Sequence, residues 1–220
     1  MTKALKQFEA NLSDVDNLMG FHADHGGQGP GRRDKRLEVL NKSAVVLITA
    51  IWEAYCEDVA EEALEHIVQH AADSSKLSKP TRQVVAKELK ADKNELAVWE
   101  LADGGWRDCL RGRFERMRED RNRKLNTPKA AQIDALFEQA LGLNSMSRRW
   151  YWSGMSVENA RTKLDKFVSL RGAIAHRGSG SNSCKKSDVT NYRNHVERLV
   201  AKTDMGVRRF ARTNSGRALR

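Results

Sequence analysis

Apolar residues recur every three or four positions over most of the chain, a period that predicts helices. Leu5, Phe8, Leu12, Val15, Leu18 and Met19 mark one over residues 3–25, which gives way to the breaker-rich GGQGPG of residues 26–31, read as a loop. A second helix is expected from about residue 34 to about residue 72. Its middle, AVVLITAIWEAYCEDV over residues 44–59, is apolar on nearly every side, so it is expected to be the central and most buried helix. Ser78, with Pro80 in the first turn, opens a short helix through Leu89. A segment over residues 95–101 stops at Asp103-Gly104-Gly105, and an arginine-dense helix follows over residues 106–124. Thr127 is the expected cap of the next helix, with Pro128 at its first position and Gly142 as its stop.

Residues 148–152 (RRWYW) read as a basic, aromatic loop. Ser156 caps a helix that carries Leu164, Phe167, Val168 and Leu170 toward Gly178, and a polar loop follows. Ser187 is the expected cap of the last helix, whose Val189, Tyr192, Val196, Leu199 and Val200 share one face. No segment alternates with period two. The pattern predicts one all-α helical bundle over residues 1–220, with residues 73–125 as a basic helical insertion beside it. Residues 207–220 read as a basic tail, holding Arg208, Arg209, Arg212, Arg217 and Arg220 without an acid.

Composition narrows the partners. At 220 residues and 40% hydrophobic the chain has enough apolar material for a core, while 31% charged residues leave a very polar surface. The formal charge of +10 points to a polyanionic partner, or to nothing more than a well-solvated surface. Three cysteines, Cys56, Cys109 and Cys184, lie far apart without a CxxC pair, the usage of a reducing cytoplasm. The first residues hold no apolar core of signal-peptide length, and the longest apolar run, residues 44–52, is too short to span a bilayer. A soluble cytoplasmic protein without membrane contact is expected. His66 and His70, with Glu62 a turn before, have a spacing that suits a metal, but two histidines on a polar helix are commonly plain surface. His22, Asp24 and His25 complete no ligand set, and GGQGPG lacks the ending of a phosphate-binding loop, so no metal and no cofactor is expected.

The richest chemistry lies in SLRGAIAHRG, residues 169–178. Arg171 is permanently charged and suited to a phosphate, and His176 can exchange a proton near neutral pH. Five positions place the two about 140° apart around an ideal helix. Either the helix end unwinds near Gly178, or a groove between two subunits gathers both groups. The plain alternative is a helix C-terminus whose Arg171, His176 and Arg177 complement the dipole. Glu53, a carboxylate inside the most apolar helix, either orients Arg171 or His176 or makes a structural ion pair. Arg107, Arg111 and Arg118 share one face of the arginine-dense helix near Trp106 and Phe114, a surface that either tracks an RNA backbone or pairs internally. Arg148, Arg149 and Arg177 are further candidates for RNA contact.

The sequence resembles the HEPN superfamily, closest to its RiboL-PSP-HEPN branch. The resemblance rests on AIWEAYCEDVAEEAL (residues 50–64), on Trp150-Tyr151-Trp152 and on LDKFVSLRGAIAHRG (residues 164–178), the last holding the Arg-x4-His motif. It implies an α-helical bundle and a homodimer whose groove gathers both copies of the motif. It also implies a metal-independent endoribonuclease, of a kind that acts in toxin–antitoxin pairs, phage defence, stress or RNA processing, with an antitoxin or other regulatory partner. By position, Arg171 would hold the phosphate and His176 would move the proton. The residue after the motif arginine is often polar in that family and is Gly172 here. The family also includes inactive RNA-binding or scaffold members, so that outcome stands beside the enzyme.

Overall fold

Among the described residues seven α-helices form, as the apolar period predicts: α1 (Lys3–Asp24), α2 (Lys35–His70), α3 (Lys79–Lys90), α4 (Trp106–Asn122), α5 (Ala130–Leu141), α6 (Val157–Arg177) and α7 (Lys186–Ser215). The computed structural model describes residues 1–24, 35–122, 127–177 and 183–220, with the side chains of residues 22–24, 35, 36, 120–122, 176 and 177 outside that set. The expected loops at 26–31 and 178–182, and the side chains of His22, Asp24 and His25, therefore lie outside the described residues. Among the described residues there is no strand, only an isolated bridge between Trp152 and Met155.

Helix α2 is the axis of the bundle. α1 and α7 lie along it, and α4, α5 and α6 complete the sheath. Ala44, Val45, Ile48, Trp52, Cys56, Val59, Ala60, Ala63 and Val68 are fully buried, because neighbours cover most of its circumference. By length and composition residues 37–70 are apolar enough to cross a membrane, yet half of the most apolar window is buried inside the protein, as in a core helix. Aromatic rings set the centre: Trp52 lies edge-on to Trp150 at 5.8 Å and stacks on Tyr55 at 6.2 Å, and Phe8 meets Tyr55 edge-on at 5.5 Å. Trp52 Nε1 donates to the Pro128 carbonyl at 3.2 Å, so the polar edge of the ring is also satisfied.

Several boundaries differ from the sequence expectation, each for a tertiary reason. α5 starts at Ala130 rather than at Pro128, because Asp165 of α6 reaches across to accept the Ala130 N–H at 2.9 Å and replaces a local cap. α7 starts at Lys186, one residue before the expected cap Ser187. The Asp188 carboxylate accepts the Lys185 N–H at 2.8 Å and closes that end. The segment 95–101 shortens to a 3-10 helix, Ala97–Leu101. Gly142 does end α5, in the left-handed region at φ 71°, where a Cβ would collide with the Thr81 backbone.

Two larger expectations are also revised. The described part of the expected insertion 73–125, residues 73–122, does not sit beside the bundle: Val85, Trp106, Leu110 and Phe114 join the common core. Residues 207–220 are not a separate tail, since α7 runs on to Ser215 with Val207 and Ala211 fully buried, and Leu219 packs into the core beyond it. The RRWYW stretch is a loop only in part. Residues Met146–Arg149 form a 3-10 turn, and Trp150 is fully buried with Nε1 donating to Thr203 Oγ1 at 3.0 Å.

Candidate functional site

The C-terminal half of α6 emerges from the core beside the middle of α2. Leu164 and Val168 are buried, but Leu170, Arg171, Gly172, Ala173 and Ile174 are all half-buried, so this end of the helix is covered on one side only. The backbone stays helical through Arg177, which settles one alternative: α6 does not unwind before Gly178 to swing Arg171 and His176 together. Positions 171 and 176 therefore stay about 140° apart around the helix axis. The side chains of His176 and Arg177 lie outside the described residues.

Arg171 makes no hydrogen bond or ion pair with any described residue. Glu53 of α2 and Arg171 both lie within electrostatic reach of the Tyr192 hydroxyl on α7. Burial pushes that phenol well above its usual range, the Thr49 hydrogen bond and the positive charge of Arg171 oppose the rise, and the negative charge of Glu53 adds to it. Arg171 and Glu53 thus each act, with opposite sign, on the Tyr192 hydroxyl. Behind them, Tyr192 OH lies 3.0 Å from Thr49 Oγ1, and its ring stacks on Phe167 of α6. Tyr192 reads in the sequence as one more apolar-face residue; its polar tip is the signal that it needs a partner when buried.

The other arginine candidates are placed elsewhere. Arg107 donates to the carbonyls of Val68, Ala71 and Ala72, which closes the C-terminal end of α2. Arg111 forms a two-pronged pair with Glu65, and Arg118 pairs with Glu115 and reaches Glu61. Arg113 and Arg116 both bind Glu88. Of these partners, Glu61, Glu65 and Val68 lie about 12, 18 and 22 Å along α2 from Glu53 at 1.5 Å per residue, so α4 meets α2 away from Glu53. A groove of about 580 Å³ at that end is lined by Asp58, Glu61, Glu62 and Glu65, the wrong sign for a polyanion. Arg148 is exposed, whereas Arg149 is half-buried and donates to the Ser145 carbonyl at 3.2 Å.

No group of three or more metal-ligating side chains gathers among the described residues. His66 and His70 do lie together, with ring centroids 4.4 Å apart. Their nitrogens face backbone oxygens, His66 Nε2 that of Arg217 and His70 Nδ1 that of His66. Glu62 accepts the Lys3 and Ala4 N–H groups at 2.9 and 3.0 Å and so caps α1.

The solvent side of α2 next to the site is unusually apolar. Val39, Ser43, Val46, Ala50 and Ala54 are exposed or half-exposed and share with Glu53 one sector of about 100° around the helix. Glu53 is the one charge among these six positions; Glu57, one turn on, is half-exposed in the same sector, and Leu170 and Ile174 are half-buried on α6. A family model described as RiboL-PSP-HEPN matches residues 10–205. No curated protein and no solved structure matches the chain.

Proposed function

The chain belongs to the RiboL-PSP-HEPN family, and on that premise we propose that it is a metal-independent endoribonuclease whose Arg171 and His176 act in a groove shared by two copies. The observation that carries this reading is Arg171 itself. A half-buried guanidinium has five donors, and Arg171 uses none of them on a described partner. Arg107, Arg111, Arg113, Arg116 and Arg118 of α4 are committed to carboxylates and carbonyls, and Arg171 makes no such bond with a described residue. A phosphate diester supplies what it lacks, two oxygens in a plane that a guanidinium fork matches.

In this mechanism the 2′-hydroxyl gives its proton to a base and attacks phosphorus. The P–O5′ bond breaks, and the leaving oxygen takes a proton, which leaves a 2′,3′-cyclic phosphate and a 5′-hydroxyl. Two copies bring two His176 imidazoles, one to take the proton and one to give it. Arg171 offsets the charge that grows on the phosphoryl oxygens. The persistence of helix through Arg177 supports the shared groove, since positions 171 and 176 sit about 140° apart around one helix. The mostly apolar sector of α2 is the surface on which the second copy would lie. A setting in stress response, phage defence or a toxin–antitoxin pair follows from the same premise, with an antitoxin as the restraining partner.

A short RNA incubated with the protein in EDTA tests this. The wild type is expected to cut it and leave cyclic phosphate ends, while His176→Ala and Arg171→Ala each lower the rate by about a hundredfold or more with folding intact. Equal cutting by wild type and His176→Ala sinks the assignment. Gly172, where the family often has a polar residue, favours one second reading: a non-catalytic RNA-binding or scaffold protein. Salt-dependent RNA binding by a wild type that never cuts would select it.

A further inference from the structure

Tyr192 touches both walls of the site from behind. Its ring stacks on Phe167 with centroids 4.3 Å and planes 16° apart, and Phe167 lies one turn before Arg171 on the same face of α6. Its hydroxyl lies 3.0 Å from Oγ1 of Thr49, one turn before Glu53 on α2. Thr49 has a single hydroxyl hydrogen and donates it to the Val45 carbonyl at 2.8 Å. The bond between the two hydroxyls therefore runs from Tyr192 to Thr49, which leaves the phenol oxygen only as an acceptor. Tyr192 is fully buried, so neither contact is diluted by water.

We propose that Tyr192 is a positioning residue: it clasps α2 and α6 one turn before Glu53 and Arg171 and fixes how far apart and at what rotation the two helices stand. Its consequence for catalysis rests on the ribonuclease reading above. Tyr192 is not itself placed to move a proton, since its hydrogen is committed to Thr49 and its buried phenol stays neutral at working pH. Its effect is exerted through Arg171. A helix rotation of a few degrees at the clasp displaces the end of a long side chain by a large fraction of an ångström, and misplacement on that scale slows a reaction that depends on oriented charge.

The full-length protein tests this in two arms. In the first, RNA cleavage in EDTA is measured for Tyr192→Phe, which keeps the ring stack and loses the hydroxyl, and for Thr49→Val and Thr49→Ser. Tyr192→Phe and Thr49→Val are each expected to lower kcat about tenfold with KM within about threefold, and Thr49→Ser to retain wild-type rates. The double variant Tyr192→Phe/Thr49→Val is expected to lose no more than either single one, as two ends of one bond should. A merely structural tyrosine would lower Tm and leave kcat unchanged well below Tm, which overturns the proposal. In the second arm, the Nε–H signal of Arg171 is followed by 15N NMR without RNA and identified by its loss in Arg171→Lys. It is expected to show a lower order parameter in Tyr192→Phe and Thr49→Val, and the wild-type value in Thr49→Ser. An unchanged Arg171 signal overturns the clasp whether or not the protein cuts RNA. A wild type that fails to cut, with Arg171 loosened as expected, overturns the ribonuclease reading and leaves the clasp standing.

Discussion

His195 and Trp150 are single residues whose surroundings decide what their side chains can do. His195 is buried on α7 between Trp152, with ring centroids 5.7 Å apart, and the Ala160 carbonyl, 3.0 Å from Nε2. Burial pushes the imidazole down to about 4; the hydrogen bond to Ala160 opposes the fall, and the Lys163 charge adds to it. In the unfolded chain the same group takes a proton near pH 6.5. Between about 6.5 and about 4 the unfolded state therefore binds more protons, so stability falls as pH drops through that window and levels off below it. This share of the loss is expected to be about 1–3 kcal/mol and to vanish in His195→Gln, as measured by urea unfolding at pH 7 and pH 4.5. Trp150 shows how neighbours diverge. It is fully buried, while Tyr151 is 60% exposed, and nothing in the string RRWYW separates the two. Only the opposing Trp52 ring and the Thr203 hydroxyl do.

At the scale of an element, α4 is the instructive case. Its spacing places Arg107, Arg111 and Arg118 on one face, and that much is legible in the sequence. What the face meets is not, because Glu61, Glu65 and the last carbonyls of α2 lie 35 to 57 residues away along the chain. Helix packing turns the arginine stripe inward, onto the acidic C-terminal half of α2. Arg107→Ala is therefore expected to lower stability by about 1–3 kcal/mol, as three carbonyls at the end of α2 lose their donor, and to leave RNA affinity unchanged. Arg171→Ala should do the reverse, and thermal melts with RNA titrations on the two variants check the contrast. The ends of α5 and α7 carry the same lesson. Asp165 caps the first from another helix, and Asp188 closes the second ahead of the expected serine.

For the whole molecule, the open question of assembly falls on Gly172. A glycine inside a helix costs about 0.5–1 kcal/mol relative to alanine, yet an added Cβ here would meet nothing within 4 Å in the protomer. No described residue of one copy requires it, while a second copy lying against α6 would. In analytical ultracentrifugation the wild type is expected to sediment as a dimer and Gly172→Leu as a monomer, with the thermal midpoint of the protomer little changed. Two monomers would remove the shared groove. The surface fits the same arrangement: the +10 chain keeps its acidic groove at one end of α2 and its mostly apolar sector on the solvent side of that helix.

Local physics was enough for much of this protein. Backbone hydrogen bonding imposes a period of 3.6, so the placing of apolar residues reveals seven helices, the buried rank of α2, the stop at Gly142 and the arginine and histidine near the end of α6. The pairing of charges and hydroxyls depends on separations of a few ångströms between helices, and these exist only once the helices pack. That is why only the structure shows Arg111 and Arg118 of α4 in half-exposed ion pairs with Glu65 and Glu61 of α2. For the same reason the terminal arginines belong to a helix, and Tyr192, one of five residues on an apolar stripe, stands where α2 and α6 meet behind Arg171.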